Sequence, residues 1–118
     1  MKLQIATGLL MLIFLGSGGA KLASLDYELA AFQRWGYPLW FMYLTGWIEV
    51  LSAMALLWRP ATALVAAGLG CFMIGAVATH AVHAEWPMMG LATAIMALGF
   101  WRGWVGQENI RALLRRPS

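Results

Sequence analysis

The fold is decided by residues 61–83, which read ATALVAAGLGCFMIGAVATHAVH and contain no Asp, Glu, Lys or Arg. A helix of about 20 mostly apolar residues is long enough to cross the hydrocarbon core of a lipid bilayer, which is about 30 Å thick. The stretch reaches that length without a charged side chain. It therefore predicts a helix that spans a membrane.

Three further stretches have a similar character, namely residues 3–22, 39–58 and 86–104. The stretch at 39–58 is interrupted only by Glu49. The stretch at 86–104 has Pro87 near its start, where proline suits the first turn of a helix. Arg59-Pro60 leaves room only for a tight hairpin between the second and third helices of the chain. The four stretches together predict an all-α polytopic membrane protein, folded as one antiparallel bundle of four transmembrane helices over residues 1–118.

The composition agrees with a membrane protein. Hydrophobic residues make up 62% of the chain and charged residues 11%, whereas soluble domains have about 45–50% and about 25%. The net charge of +3 comes from basic residues at the ends of apolar stretches, not from a basic stripe, so nucleic acid is not expected as a partner. The single cysteine, Cys71, allows no disulfide within the chain and no Cys-x-x-Cys pair.

The distribution of charge predicts the orientation in the membrane. Basic residues concentrate on the cytoplasmic side of membrane proteins. With the N-terminus inside, that side receives Lys2, Arg59, Arg102 and the arginines of the basic tail at 107–118, including Arg116. The outer loops then carry only Arg34, together with Asp26, Glu28 and Glu85. Residues 1–23 also resemble a secretory signal peptide, but the three spans that follow favour a first transmembrane helix with both termini inside.

The outer loop at 23–38 is the longest connection. Leu25, Leu29 and Phe32 recur at helical spacing, which indicates a short amphipathic helix on the outer surface. We expect the aromatic residues that follow to anchor the second span at the interface rather than to form a ligand cage; they are Trp35, Tyr37, Trp40 and Tyr43. The tail at 107–118 is at most a short basic helix on the inner surface.

Small residues predict where the helices touch, because helices in lipid associate largely through close backbone packing. In the third span they recur at every fourth position, at Ala63, Ala67, Cys71, Gly75 and Thr79. The fourth span has the pair Gly99 and Gly103, and the first has Gly16 and Ala20. We expect these residues to form the helix contacts.

Glu49 is the first candidate for function, because an ionisable side chain at the centre of a membrane costs about 2.5–3.5 kcal/mol on insertion scales. It shares a face of weakly polar and small residues with Thr45, Gly46, Ser52 and Ala53. A buried carboxyl group there must be either protonated or paired with a cation. The possible partners are Lys21 and His80, although Lys21 is also close enough to a helix end to extend to the headgroups instead.

A metal site is a further alternative. His80 and His83 are three residues apart and with Glu49 could supply three ligands, but His-x-x-His alone is a weak signal, and no metal is predicted. A proton path is disfavoured because the inner half of the second span has no ionisable residue before Arg59. The sequence also lacks a phosphate-binding glycine loop and a Ser-His-Asp set, which argues against nucleotide-dependent and hydrolytic chemistry.

Four short motifs follow one another along the chain: GSGGAKL at 16–22, GYP at 36–38, TGWIE at 45–49 and ATH at 78–80. Together they resemble the DoxX-like family of small four-helix membrane proteins, in which Gly-x-x-Lys-Leu and a buried Gly-x-x-Glu recur in this order. The resemblance covers nearly the whole chain. Lys21 and Glu49 match the recurring polar residues of the family, and His80 lies in a more variable region.

The resemblance implies a bacterial inner-membrane protein associated with redox systems, since the family is named for a subunit of a thiosulfate:quinone oxidoreductase. Other relatives are regarded as assembly factors for membrane proteins. We expect a subunit of a quinone-linked oxidoreductase, not an enzyme by itself, acting with partner subunits or a second copy. Its site would bind a quinone or another amphipathic molecule through Lys21, Glu49 and His80, with Trp47 and Tyr43 nearby. The alternative is a non-catalytic scaffold whose Lys21–Glu49 pair fixes helix register, and a weaker one is a carrier of small solutes or protons.

Overall fold

A computed structural model describes residues 1–115, and all the regular structure in that range is helical. The helices are α1 Lys2–Leu22, α2 Asp26–Trp35, α3 Leu39–Ala55, α4 Thr62–Val82, α5 Trp86–Val105 and α6 Gln107–Leu114, with a short 3-10 helix at Arg59–Ala61. The all-α prediction is therefore confirmed, with six helices in place of four. The tail residue Arg116 lies outside the described residues.

Three helices are long and apolar enough to cross a membrane: α1, α5, and α4 together with the 3-10 turn before it. The fourth, α3, is apolar but has only 17 residues. It ends at Ala55, three residues before the predicted end of the second span. The amides of Leu57 and Trp58 donate to the carbonyls three residues earlier, so the chain is already turning towards Arg59.

The two additional helices correspond to the segments expected to be short surface helices. Helix α2 lies across one end of the bundle, which we call the α2 end, and buries Phe32 against it. Gly36 ends this helix in the left-handed conformation, with φ of 79°, and Pro38 then begins α3. Helix α6 lies at the opposite end, beside the 3-10 turn, with Arg111 bonded to Glu108 on its surface.

The bundle consists of two closely packed helix pairs, α1 with α3 and α4 with α5, which contact each other much less. Glycines allow the close approach within each pair. A β-carbon at Gly18 would lie 2.7 Å from the carbonyl oxygen of Gly46, and one at Gly99 would lie 2.9 Å from that of Ala66. Gly103 likewise faces Ala67 of α4. The predicted contact through Gly99 and Gly103 is thus confirmed.

Two other predicted contacts are wrong. Gly16 is exposed, and it is Gly18 that touches α3. On α4, Ala63 and Ala67 face α5 as expected, but Cys71 and Gly75 are exposed. The physical reason is that a spacing of four residues advances by about 40° around an α-helix at each step, so such a row leaves a straight interface after two or three turns.

Gly18→Ala tests the α1–α3 contact. The new methyl group would meet backbone of α3, which cannot move aside like a flexible side chain, so we expect a loss of about 1–3 kcal/mol of stability. Gly16→Ala is the matched control, because nothing lies within 4 Å of the added carbon. Unfolding in mixed detergent micelles, followed by tryptophan fluorescence, measures both. Equal stability of the two variants would contradict the close contact.

Candidate functional site

A cavity of about 850 Å³ lies between the two helix pairs and is covered by α2. All four long helices contribute to its wall. Its deep part is apolar, lined by residues such as Phe14, Phe72, Met73, Ala92 and Ile95. Its polar groups gather towards the α2 end, and they include Ser17, Lys21, Glu28, Glu49, Thr79 and His80. The cavity is therefore amphipathic, with a polar end under α2 and an apolar body within the bundle.

Lys21 is the centre of the first polar cluster. Its Nζ lies 3.0 Å from Glu49 Oε2 and 3.5 Å from Glu28 Oε2, and it donates a hydrogen bond of 2.8 Å to Ser17 Oγ. Ser17 in turn donates to Glu49 Oε1 at 3.0 Å. Only 12% of the Lys21 side chain is exposed, so the lysine is turned into the bundle and does not extend to the headgroups. The predicted pairing of Lys21 with Glu49 is present in the structure.

Helix geometry brings these groups together. Ser17 and Lys21 are four residues apart on α1 and so share one face. Gly46 on α3 leaves room for the lysine stem, because a β-carbon at position 46 would lie 3.0 Å from Lys21 Cβ. The same glycine packing that joins α1 to α3 thus places the lysine beside Glu49.

One atom of this cluster is incompletely satisfied. Glu49 is 3% exposed, and its Oε2 accepts no hydrogen bond from the described residues, although it is in ionic contact with Lys21. A buried carboxylate oxygen normally has a hydrogen-bond donor. Glu49 also lines the cavity. The charge of Oε2 is nevertheless compensated by Lys21 Nζ at 3.0 Å, and this oxygen has almost no accessible surface of its own.

Glu85 is the centre of a second cluster, which the sequence did not predict because Glu85 was assigned only to an outer loop. Its Oε1 lies 2.8 Å from His80 Nδ1 and accepts a hydrogen bond of 3.0 Å from Trp35 Nε1. Its Oε2 accepts from Arg34 Nε at 2.7 Å. Hydrogen bonds with the His80 ring, Arg34 and Trp35 lower the pKa of Glu85 to about 2. The cluster fastens α2 to the connection between α4 and α5.

His80 is thus buried in the cavity wall, but its bonded carboxylate is Glu85 and not Glu49. His83 is bonded to its own helix instead, because its Nδ1–H donates a hydrogen bond of 2.8 Å to the carbonyl oxygen of Thr79. Among residues 1–115, no three His, Cys, Asp or Glu side chains come together as a possible metal site. The alternative set of His80, His83 and Glu49 is therefore not assembled.

The aromatic residues beneath α2 form part of the cavity wall. Phe32, Trp35, Tyr37 and Phe41 pack with ring centroids 5.2–6.4 Å apart, and all four line the cavity. Tyr37 is also hydrogen-bonded to Thr79, with 2.8 Å between the two hydroxyl oxygens. Trp35 and Tyr37 were expected to be interface anchors. An amphipathic helix gives the same aromatic pattern whether it faces lipid or a cavity, so the sequence alone does not separate the two roles.

Tyr43 and Trp47 do not line the cavity. Trp47 is 54% exposed, because two residues of α-helix place it about 200° away from Glu49 around α3. The Tyr43 hydroxyl lies 2.5 Å from Ser24 Oγ and ties α3 to the turn after α1. The polar site contains the predicted Lys21, Glu49 and His80, together with Ser17 and Glu28, which the sequence pattern did not single out as site residues. Glu85 lies behind this wall and bonds to His80.

Comparison with known proteins gives one match. A family model described as the DoxX-like family matches residues 5–101, which include both polar clusters and the whole cavity wall. No curated protein and no solved structure matches the chain.

Glu85→Gln tests the fastening of α2. The wild-type protein should be more stable than the variant at neutral pH, because the ionised carboxylate accepts stronger hydrogen bonds than an amide. The pKa of Glu85 is lowered from 4.5 to about 2, so its stabilisation is complete above pH 4.5 and is lost as the pH falls towards 2. The difference in thermal midpoint between the two proteins should therefore shrink across that window.

Glu108→Gln is the control for removing a carboxylate, since Glu108 is exposed on α6 and bonded to Arg111. It should leave the thermal midpoint at neutral pH unchanged. A difference between wild type and Glu85→Gln that stays constant down to pH 2 would contradict the proposed contribution of the carboxylate.

Proposed function

The chain belongs to the DoxX-like family, and from this we propose that it is an integral membrane subunit that binds a quinone-like molecule for a membrane redox system. The name of the family, taken from a subunit of a thiosulfate:quinone oxidoreductase, supports the redox association. The observation that carries the proposal is the amphipathic cavity of about 850 Å³, whose size is within the range of about 300–1,000 Å³ typical of small-molecule sites.

The two parts of the cavity correspond to the two parts of such a ligand. The ring of a quinone would lie at the polar end, where Lys21 donates to a carbonyl oxygen. In the reduced form, a hydroxyl group would donate to the carboxylate of Glu49, which lines the cavity beside Lys21. The aromatic wall of Phe32, Trp35 and Tyr37 would pack against the ring, and the apolar body of the cavity would receive its side chain.

We further propose that α3 crosses the membrane with the other three apolar helices. The chain then has four spans across the bacterial inner membrane, with both termini on the cytoplasmic side. Its 17 residues extend over about 26 Å, a few ångströms less than an average hydrocarbon core. Trp40 and Trp58, both exposed, flank it as interfacial residues. Lys2, Arg59 and Arg102 then lie on the cytoplasmic side, at the end opposite α2.

A specific observation favours a second function, that of a non-catalytic scaffold. Lys21 has partners within the chain in Ser17, Glu28 and Glu49, so the cluster is also suited to fixing α1 against α3. In a scaffold the same residues would set helix register, and partners would bind elsewhere. The two functions differ in whether the cavity receives a ligand.

Ala76→Phe tests the ligand site, because Ala76 lines the cavity and a benzyl group there would fill its apolar body without touching the charged cluster. Ala78→Phe, two residues further along α4 and exposed, is the matched control. We expect decylubiquinone to raise the thermal midpoint of the wild type and of Ala78→Phe in detergent, and to leave that of Ala76→Phe unchanged.

The same experiment distinguishes the two functions. If decylubiquinone and its quinol stabilise none of the three proteins, and no amphipathic molecule is retained on gentle extraction, the redox-site proposal is wrong and the scaffold stands. If Ala76→Phe responds as strongly as the wild type, the ligand binds outside the cavity.

A further inference from the structure

A second cavity of about 500 Å³ lies at the end opposite α2. It is a surface cavity bordered by the first half of α1, the turn after α3, the start of α4, and the adjoining ends of α5 and α6. Its polar lining residues are Gln4, Thr7, Arg59, Thr62, Arg102 and Asn109, and its apolar lining includes Leu3, Met11 and Leu56. This second cavity is therefore basic at one part of its wall and apolar at another.

Arg102 is held across this cavity. Its Nε donates a hydrogen bond of 3.0 Å to Thr7 Oγ1, and that hydroxyl in turn donates to the carbonyl oxygen of Leu3 at 2.8 Å. The bond orients the guanidinium from α5 towards α1. It occupies Nε only, and the terminal nitrogens of Arg102 make no other side-chain hydrogen bond with the described residues.

The two arginines of the cavity differ from Arg34 and Arg111 in having no carboxylate partner. Arg34 and Arg111 each lie within 2.7 Å of a carboxylate oxygen. In the part of the chain that the structure describes, no carboxylate lies within 4 Å of Arg59 or Arg102. Setting the orientation in a membrane requires only that a cation be near the surface. It does not require a half-buried guanidinium held by a hydrogen bond in a cavity that a second arginine also lines.

We propose that this second cavity binds the phosphate-bearing headgroup of one anionic phospholipid. Guanidinium groups present paired N–H donors that match phosphate oxygens, and two of them compensate the negative charge. Basic pockets between membrane helices on the cytoplasmic side are suited to such headgroups. A free phosphate ion would meet the same arginines, but the leucines and methionine of the wall favour a lipid, whose acyl chain begins directly beside its headgroup.

Native mass spectrometry of the full chain, released from nanodiscs of phosphatidylglycerol or of phosphatidylcholine, tests the proposal. We expect one phosphatidylglycerol to remain bound to the wild type, and phosphatidylcholine to be lost. Arg102→Gln and Arg59→Gln should each reduce the retained fraction about tenfold, since a hydrogen bond to a charged group contributes about 1.5–3 kcal/mol. Arg111→Gln, which removes an equal charge from outside the cavity, should retain the lipid.

Folding of each variant is checked by its thermal midpoint, and because Arg59 is exposed, Arg59→Gln should fold normally. Equal retention of the two lipids, or equal loss in Arg111→Gln, would overturn the proposal. A parallel titration with inorganic phosphate separates the two sources of the anion. If phosphate raises the midpoint of the wild type but not of Arg102→Gln, while phosphatidylglycerol is not retained, the ligand is a free anion and the lipid is excluded.

Discussion

The ion pair between Lys21 and Glu49 is the interaction on which the rest of the structure depends. Each charge placed singly in the apolar bundle would cost about 2.5–3.5 kcal/mol on insertion scales, so the two are favoured only when they meet. Their contact of 3.0 Å requires α1 and α3 to approach closely at one level. Gly18 and Gly46 permit that approach, because a β-carbon at either position would lie about 3 Å or less from the facing helix.

The cavity follows from this pairing. With α1 held to α3, and α4 held to α5 by Gly99 and Gly103, the side chains between the pairs do not fill the space near α2. Helix α2 covers that space, fastened by Glu85 to the other pair. Lys21 also contacts Glu28 of α2, so the cover is tied to both halves of the bundle. The bundle therefore has an amphipathic site at one end and a basic cavity at the other, and the two proposals concern separate parts of the chain.

The apolar helices and the short helix in the first loop could be predicted from sequence. The partner of Glu49 could be narrowed to Lys21 or His80, because a long apolar run leaves few possible partners for one buried charge. The roles of Ser17 and Glu28 could not be predicted, since a serine among glycines and a carboxylate in a loop look the same in sequence whether they face solvent or a site. Trp47 was expected near the site because it is two residues from Glu49, but those two residues of helix turn its side chain to the opposite side of α3. The helix contacts predicted at Gly16 and Cys71 were wrong for a similar reason. Small residues show that a helix can be approached closely, but not which of its faces is in contact. The contacts of Glu85 with Arg34 and Trp35 join residues about 50 apart in sequence, and no local pattern indicates them.

A double-mutant cycle on Lys21 and Glu49 tests the central claim most directly, with the free energy of unfolding measured in mixed detergent micelles. Lys21→Met should lower the free energy of unfolding by about 3–5 kcal/mol, because it leaves two carboxylates without their cation. Glu49→Gln should cost less, because Lys21 keeps its contact with Glu28. The double variant should be more stable than Lys21→Met. Losses that simply add, with the double variant less stable than either single one, would contradict the account.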